Sequence, residues 1–159
     1  IYDEGISASR EQRNPLSNAA QPLRPDIPDG TNYRTFGAFV QDAADVLPGL
    51  LRPQMMERIA WHRGRGDTVV LVSASLDAYL RPWCARHALE MLCNRLESAD
   101  GRLTGLYLGG DRGRHKASDI RARYDLAAFR RIHAYGDSRE DRPMLALAHE
   151  RWYRGRRIA

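Results

Sequence analysis

The run Thr68-Val69-Val70-Leu71-Val72 constrains this chain more than any other stretch. It is apolar and β-branched without the apolar and polar alternation of a strand that has one wet face, so both of its faces must be covered. Such a strand belongs inside a parallel sheet with helices above and below, and the surrounding sequence offers them. Phe36, Phe39, Val40, Ala43 and Val46 recur at helical spacing before Pro48-Gly49, which predicts a helix over 35–46. A second helix is expected from Pro53, through Met55, Met56, Ile59 and Ala60, to Gly64 or Gly66. Beyond the strand lie Ser73-Ala74-Ser75, a helix over 77–87, and two short runs over 91–96 and 103–108. Ser98-Ala99-Asp100-Gly101 between those runs predicts a hairpin. A helix over 116–124, a strand over 131–135 and a helix over 139–148 complete the reading. Strand and helix in this order predict an α/β fold that binds ligands at the carboxyl ends of its strands.

At 159 residues the chain fits one domain with its own core. Residues 1–31, rich in Pro, Asn, Ser, Gln and Arg, read as an irregular arm, residues 32–66 as a helical linker and residues 67–159 as the α/β core. Cys84 and Cys93 show no Cys-x-x-Cys spacing, which argues against structural zinc and for free thiols in a reducing cytoplasm. His62, His87, His115, His133 and His149 lack metal-ligand spacing and read as surface or packing residues. No apolar run approaches the roughly 20 residues that a bilayer crossing needs. The net charge of +5 leaves an arginine-rich nucleic-acid-binding module as a minor alternative. The basic residues are scattered, however, and the one concentrated stretch, 151–157, reads as a solvated end.

Of 25 basic residues only Lys116 is a lysine, which singles it out as a place where a compact ammonium does what a planar guanidinium cannot. Gly136-Asp137 follows the expected strand at Tyr135, and Asp141 comes four residues later. Two carboxylates on one strand-end loop can face a single cation, and hard oxygen ligands of that kind suit Mg²⁺. A helix cap by Asp137 or Ser138 is the plainer reading of the same turn, though it leaves the rest of the string unexplained.

Together, Val70-Leu71-Val72-Ser73-Ala74-Ser75, Lys116 and Tyr135-Gly136-Asp137-Ser138-Arg139-Glu140-Asp141-Arg142-Pro143-Met144-Leu145 resemble the haloacid dehalogenase superfamily. Ala60-Trp61-His62-Arg63, Tyr79-Leu80-Arg81-Pro82-Trp83 and Gly101-Arg102-Leu103-Thr104-Gly105 extend the likeness over about residues 50–155. Within the superfamily the likeness is to subfamily IB, which includes phosphoserine phosphatase and phosphatidylglycerophosphatase-like hydrolases. The resemblance implies a Rossmann-like three-layer α/β/α core with a mainly parallel sheet, and a cap reduced to residues 32–66. It further implies a Mg²⁺-dependent phosphatase that acts on a small or lipid-linked phosphate through an aspartyl-phosphate. In that scheme Ser73 and Lys116 grip the phosphoryl group, while Asp137 and Asp141 hold Mg²⁺.

The superfamily's first motif, Asp-x-Asp-Gly-Thr, is matched at its tail by Asp29-Gly30-Thr31 in Asp26-Ile27-Pro28-Asp29-Gly30-Thr31. By the resemblance Asp29 is the general acid and base, but the nucleophile position holds Ile27. Asp26, one residue further back, serves as nucleophile if a bulge brings it forward, and Asp3 is the other candidate. With neither in place, the chain is a catalytically impaired member that binds a phosphorylated ligand or a protein partner.

Overall fold

The computed structural model describes residues 45–100 and 102–159. The expected arm, most of the helix expected over 35–46, and Asp3, Asp26 and Asp29 lie outside the described residues. Residues 45–50 are helical.

Helix α1 (Pro53–Gly64) opens on proline, which costs nothing in a first turn whose N–H groups have no helical partner. It buries Met55, Ile59 and His62, spaced four and three residues apart along one face. His62 and Arg63 place basic groups in its last turn, where the helix dipole favours them. Strand β1 (Val70–Leu76) extends past the expected run, through Ser73-Ala74-Ser75. Its side chains divide as the sequence requires. Val69 and Leu71 join Ile59, Leu80 and Trp83 on one side, and Val70 and Val72 join Ile120 and Met144 on the other. Covered on both faces, the strand has no need of polar alternation, and each such side chain contributes roughly 1.5–3 kcal/mol by leaving water.

Helix α2 (Asp77–Arg86) packs Tyr79, Leu80, Trp83 and Cys84 on the first face. Strand β2 (Glu90–Asn94) runs parallel to β1 with Val70 opposite Glu90 and Ser73 opposite Cys93. The register slips between Ser73 and Leu76. The hairpin is made by β3 (Leu96–Ala99) and β4 (Arg102–Tyr107), and Asp100 takes a positive φ of 51° at its tip. The run expected over 91–96 is thus divided at Arg95 between two strands with different partners. Gly109 and Gly110, both at positive φ, turn the chain toward a short 3₁₀ turn at Arg112–Arg114.

Helix α3 (Lys116–Arg123) and the short α4 (Arg142–Leu145) cover the second face through Ile120 and Met144. Strand β5 (His133–Gly136) points Tyr135 into the first cluster and Ala134 toward Leu145 and Ala148. The helix expected over 139–148 is shorter, a 3₁₀ turn at Arg139–Asp141 leading into α4. The stretch read as a solvated basic end folds instead into β6 (Glu150–Tyr153) and β7 (Arg156–Ile158). β6 pairs parallel with β5 and antiparallel with β7, through a turn at Arg154-Gly155 whose residues both take positive φ, as tight hairpins favour. Helices on both faces of β1 give the expected α/β/α layering. Among the described strands two pairings are parallel and two antiparallel. No helix among the described residues is long and apolar enough to cross a membrane.

Both cysteines are buried and free, and burial pushes the Cys84 thiol up to about 11 and the Cys93 thiol to about 12, so neither is a ready thiolate.

Candidate functional site beside β1 and β5

β5 ends on Gly136 because nothing larger fits. A Cβ built there would lie 2.6 Å from the Cβ of Asp141, inside any real carbon contact. The missing side chain lets the Asp141 carboxylate fold back against the strand end. Its Oδ2 accepts from the backbone N–H of Asp137 at 3.0 Å, the N–H of Ser138 at 2.9 Å and the Ser138 hydroxyl at 2.9 Å. Ser138 and Asp141 thereby form a capping box across the 3₁₀ turn. The other oxygen, Oδ1, accepts from Lys116 Nζ at 2.8 Å.

Lys116 and Asp141 are 2% and 0% exposed, so the pair is wholly removed from water. Burial alone would raise the Asp141 carboxyl. The Lys116 ammonium and the hydrogen bonds from Ser138 outweigh it and hold the group below the ordinary carboxylate range. The one lysine in an arginine-rich chain thus sits in a fully buried ion pair with Asp141.

Asp137 lies beside this pair with its side chain 19% exposed, and its Oδ2 is 3.6 Å from Arg52 Nη2. Its backbone is braced by the C-terminal hairpin. Arg154 Nε donates to the Asp137 carbonyl at 3.0 Å, and the Arg154 N–H donates to the Gly136 carbonyl at 2.9 Å. Ser73 is buried within β1, at the last residue before the β1–β2 register slips, and its hydroxyl oxygen accepts from the Ser75 N–H at 3.1 Å. The next residue, Ala74, packs close to Gly113: a Cβ on Gly113 would come within 3.2 Å of the Ala74 Cβ and 3.6 Å of Glu140 Oε2.

The structure thus joins Lys116 to Asp141 directly, places Asp137 in the same turn, and brings Ala74, which follows Ser73 in β1, against the segment leading into Lys116. Sequence reading missed Asn94 and Arg154 as supports of this region. Asn94 had one signal, a polar residue closing the apolar run Met91-Leu92-Cys93. The histidines read as packing residues do pack: His62 Nδ1 lies 2.8 Å from Asp67 Oδ2 and its Nε2 lies 2.9 Å from the Tyr135 hydroxyl. The His133 ring stands edge-on to that of His62.

The donor set fits Mg²⁺ in a limited way. Asp137 offers a partly exposed hard oxygen, and Mg²⁺ is commonly held by one or two carboxylates with water and phosphate filling the rest. Asp141 has Oδ2 already engaged three times and reaches a cation only through Oδ1, which it shares with Lys116. Among the described residues no cluster of three or more acidic, histidine or cysteine side chains forms a cation cage.

Comparison with known proteins agrees with the geometry. The family model for haloacid dehalogenase-like hydrolases matches residues 6–146. Protein CicA from two strains of Caulobacter vibrioides is 37% identical over 115 residues, which make up 70% of this chain and 51% of CicA. The chain therefore spans about half the length of the curated relatives it matches. A solved structure of a protein of unknown function from Bordetella pertussis Tohama I superposes with a TM-score of 0.59 at 23% identity, covering 74% of this chain and 56% of that one. A probable phosphoserine phosphatase from Vibrio cholerae gives 0.57 at 22% identity, covering 76% and 36%. At these identities the two structures speak for the fold. The family match, spanning most of the chain, speaks for descent: this protein belongs to the haloacid dehalogenase-like hydrolases.

Proposed function

We propose that the chain is a Mg²⁺-dependent phosphomonoester hydrolase of the phosphoserine phosphatase and phosphatidylglycerophosphatase-like subfamily, acting on a small or lipid-linked phosphate. The observation that carries this reading is the buried Lys116–Asp141 pair, with the Asp137 carboxylate in the same turn as Asp141 and Ser73 buried in β1. Phosphoryl transfer is catalysed chiefly by positioning and by positive charge where anionic oxygens crowd. Lys116 supplies a fixed ammonium, and Ser73 donates its hydroxyl proton to a non-bridging oxygen. Asp137 is the direct carboxylate for Mg²⁺, while Asp141 holds Lys116 and the 137–138 backbone in place and contributes at most its shared oxygen. Bound Mg²⁺ would add charge neutralisation on the phosphate oxygens.

The remaining roles fall on residues outside the described region. A carboxylate of Asp26 or Asp3 forms the bond to phosphorus as the ester P–O bond breaks, and Asp29 gives the leaving oxygen a proton. Water then attacks phosphorus, Asp29 takes its proton, and the nucleophile is released as carboxylate. A second reading is favoured by Ile27 at the nucleophile position: a member that binds a phosphorylated ligand or a partner without turnover.

Release of inorganic phosphate from p-nitrophenyl phosphate in the presence of Mg²⁺ distinguishes the two. The enzyme reading expects turnover that Asp137→Asn reduces by about 10² or more. Phosphate and Mg²⁺ binding without turnover by the unaltered chain would overturn it in favour of the second.

A further inference from the structure

Asn94 closes β2 with its side chain fully buried, and no role in the reading above falls to it. Its amide joins three segments. Nδ2 donates to the Ala74 carbonyl at 2.7 Å and to Asp111 Oδ1 at 3.2 Å, while Oδ1 accepts from the Arg112 N–H at 2.7 Å. Ala74 directly follows Ser73, in the stretch where the β1–β2 register slips. Arg112 opens the 3₁₀ turn that runs into α3, whose first residue is Lys116. One side chain therefore bridges the segment that carries the hydroxyl and the segment that carries the ammonium.

The junction has little slack. Asp111 Oδ1 also accepts from the Gly113 N–H at 2.9 Å, and Gly113 has no room for a methyl group without pressing on Ala74. A carbonyl acceptor on one side and an N–H donor on the other also fix which way the amide points. Because the Asn94 side chain is fully buried, a change there leaves a backbone carbonyl or N–H of the junction short of its bond.

We propose that Asn94 is a positioning residue that sets the separation of Ser73 and Lys116 from behind, without touching the bound phosphate. This inference rests on the phosphate-gripping roles proposed for those two residues. A tetrahedral anion is shared by a hydroxyl and an ammonium only if both are held at the right spacing, and a displacement of about 1 Å can cost about 10² in such a site.

The test is calorimetric titration of inorganic phosphate into the full chain with Mg²⁺, alongside urea unfolding. The proteins compared are the unaltered chain, Asn94→Asp, Ser73→Ala and the double variant. Asn94→Asp keeps the acceptor for Arg112 but sets oxygen against the Ala74 carbonyl, so phosphate affinity is expected to fall about tenfold or more. In the Ser73→Ala background the same change should cost far less, because the group it positions is gone. Gly113→Ala pushes on the same junction from the other side and should reproduce the pattern should Asn94→Asp fail to fold. Phosphate affinity unchanged in both Asn94→Asp and Gly113→Ala, or losses that merely add to that of Ser73→Ala, would overturn the inference and leave the phosphate site standing. No phosphate binding by the unaltered chain would overturn the phosphate site itself, and this inference with it.

Discussion

Asp141 and Asp67 each hold a basic partner at 2.8 Å, Lys116 for the first and His62 for the second. Distance does not separate them; solvent does. The first pair is sealed, with side chains 0% and 2% exposed, whereas the Asp67 side chain is 36% exposed beside a His62 that is nearly covered. In the sealed pair the Asp141 charge depends on its buried cation, because solvent does not reach it to replace a lost partner. In the open pair Asp67 can fall back on solvent, and what matters is the buried ring. Burial lowers the His62 pKa, although its hydrogen bond to Asp67 pulls the other way. One pair is a fixed charge element and the other a packing element with a polar rim.

That contrast can be broken by substitution. Lys116→Met should have the largest effect, destabilising the chain by about 3–5 kcal/mol in urea unfolding, because Asp141 is left buried without its cation. Adding Asp141→Leu to Lys116→Met should recover part of that loss; no recovery would mean that the carboxylate's bonds to the 137–138 backbone matter more than the charge pairing. His62→Phe keeps the ring volume but strips the buried Tyr135 hydroxyl of its partner, and should cost about 1–3 kcal/mol. Arg65→Ala removes a cation 4.6 Å from the Trp61 ring centroid and 3.4 Å from Asp67, at an exposed site, and should cost less than about 1 kcal/mol.

Acidity sharpens the same comparison. The folded pKa of His62 is depressed below 6.5, so below that pH the unfolded chain takes up a proton that the native state resists. Stability from this source is present above pH 6.5 and lost as pH falls through the folded value, and His62→Phe should flatten that limb. Asp141, also depressed, acts in a lower window. Its contribution is present above 3.8 and is lost only as pH falls below that, through a folded value lower still. Two separated acid limbs in a stability–pH profile are the expected result, the upper one reduced in His62→Phe and kept in part by His133, whose pKa burial also lowers.

What the sequence made legible follows from how local each feature is. The strand at 68–72 could be read because its lack of alternation reports directly on two covered faces, and the structure divides its side chains between them. The Gly136–Asp141 turn could be read because its bonds close within five residues. Asn94 could not, since its partners stand 17 to 20 residues away in other elements. β6 and β7 were hidden for a similar reason. Arginine-rich composition suggests a solvated end, whereas pairing with β5, a distant strand, is what makes those residues extended. The helix expected over 139–148 carries the right apolar spacing but gives up its first turn to a capping box that serves Asp141.

The bare Cα at Gly136 has a consequence for how such a site can be altered. Because the strand end and the carboxylate share one small volume, neither can be redesigned alone. A bulkier residue at 136 evicts the Asp141 side chain, and with it the anchor for Lys116 and for the 137–138 amides. Engineering toward a different substrate is therefore freer around Arg52 and the partly open face of Asp137 than at this crossing point, where three functional groups depend on an absent methyl.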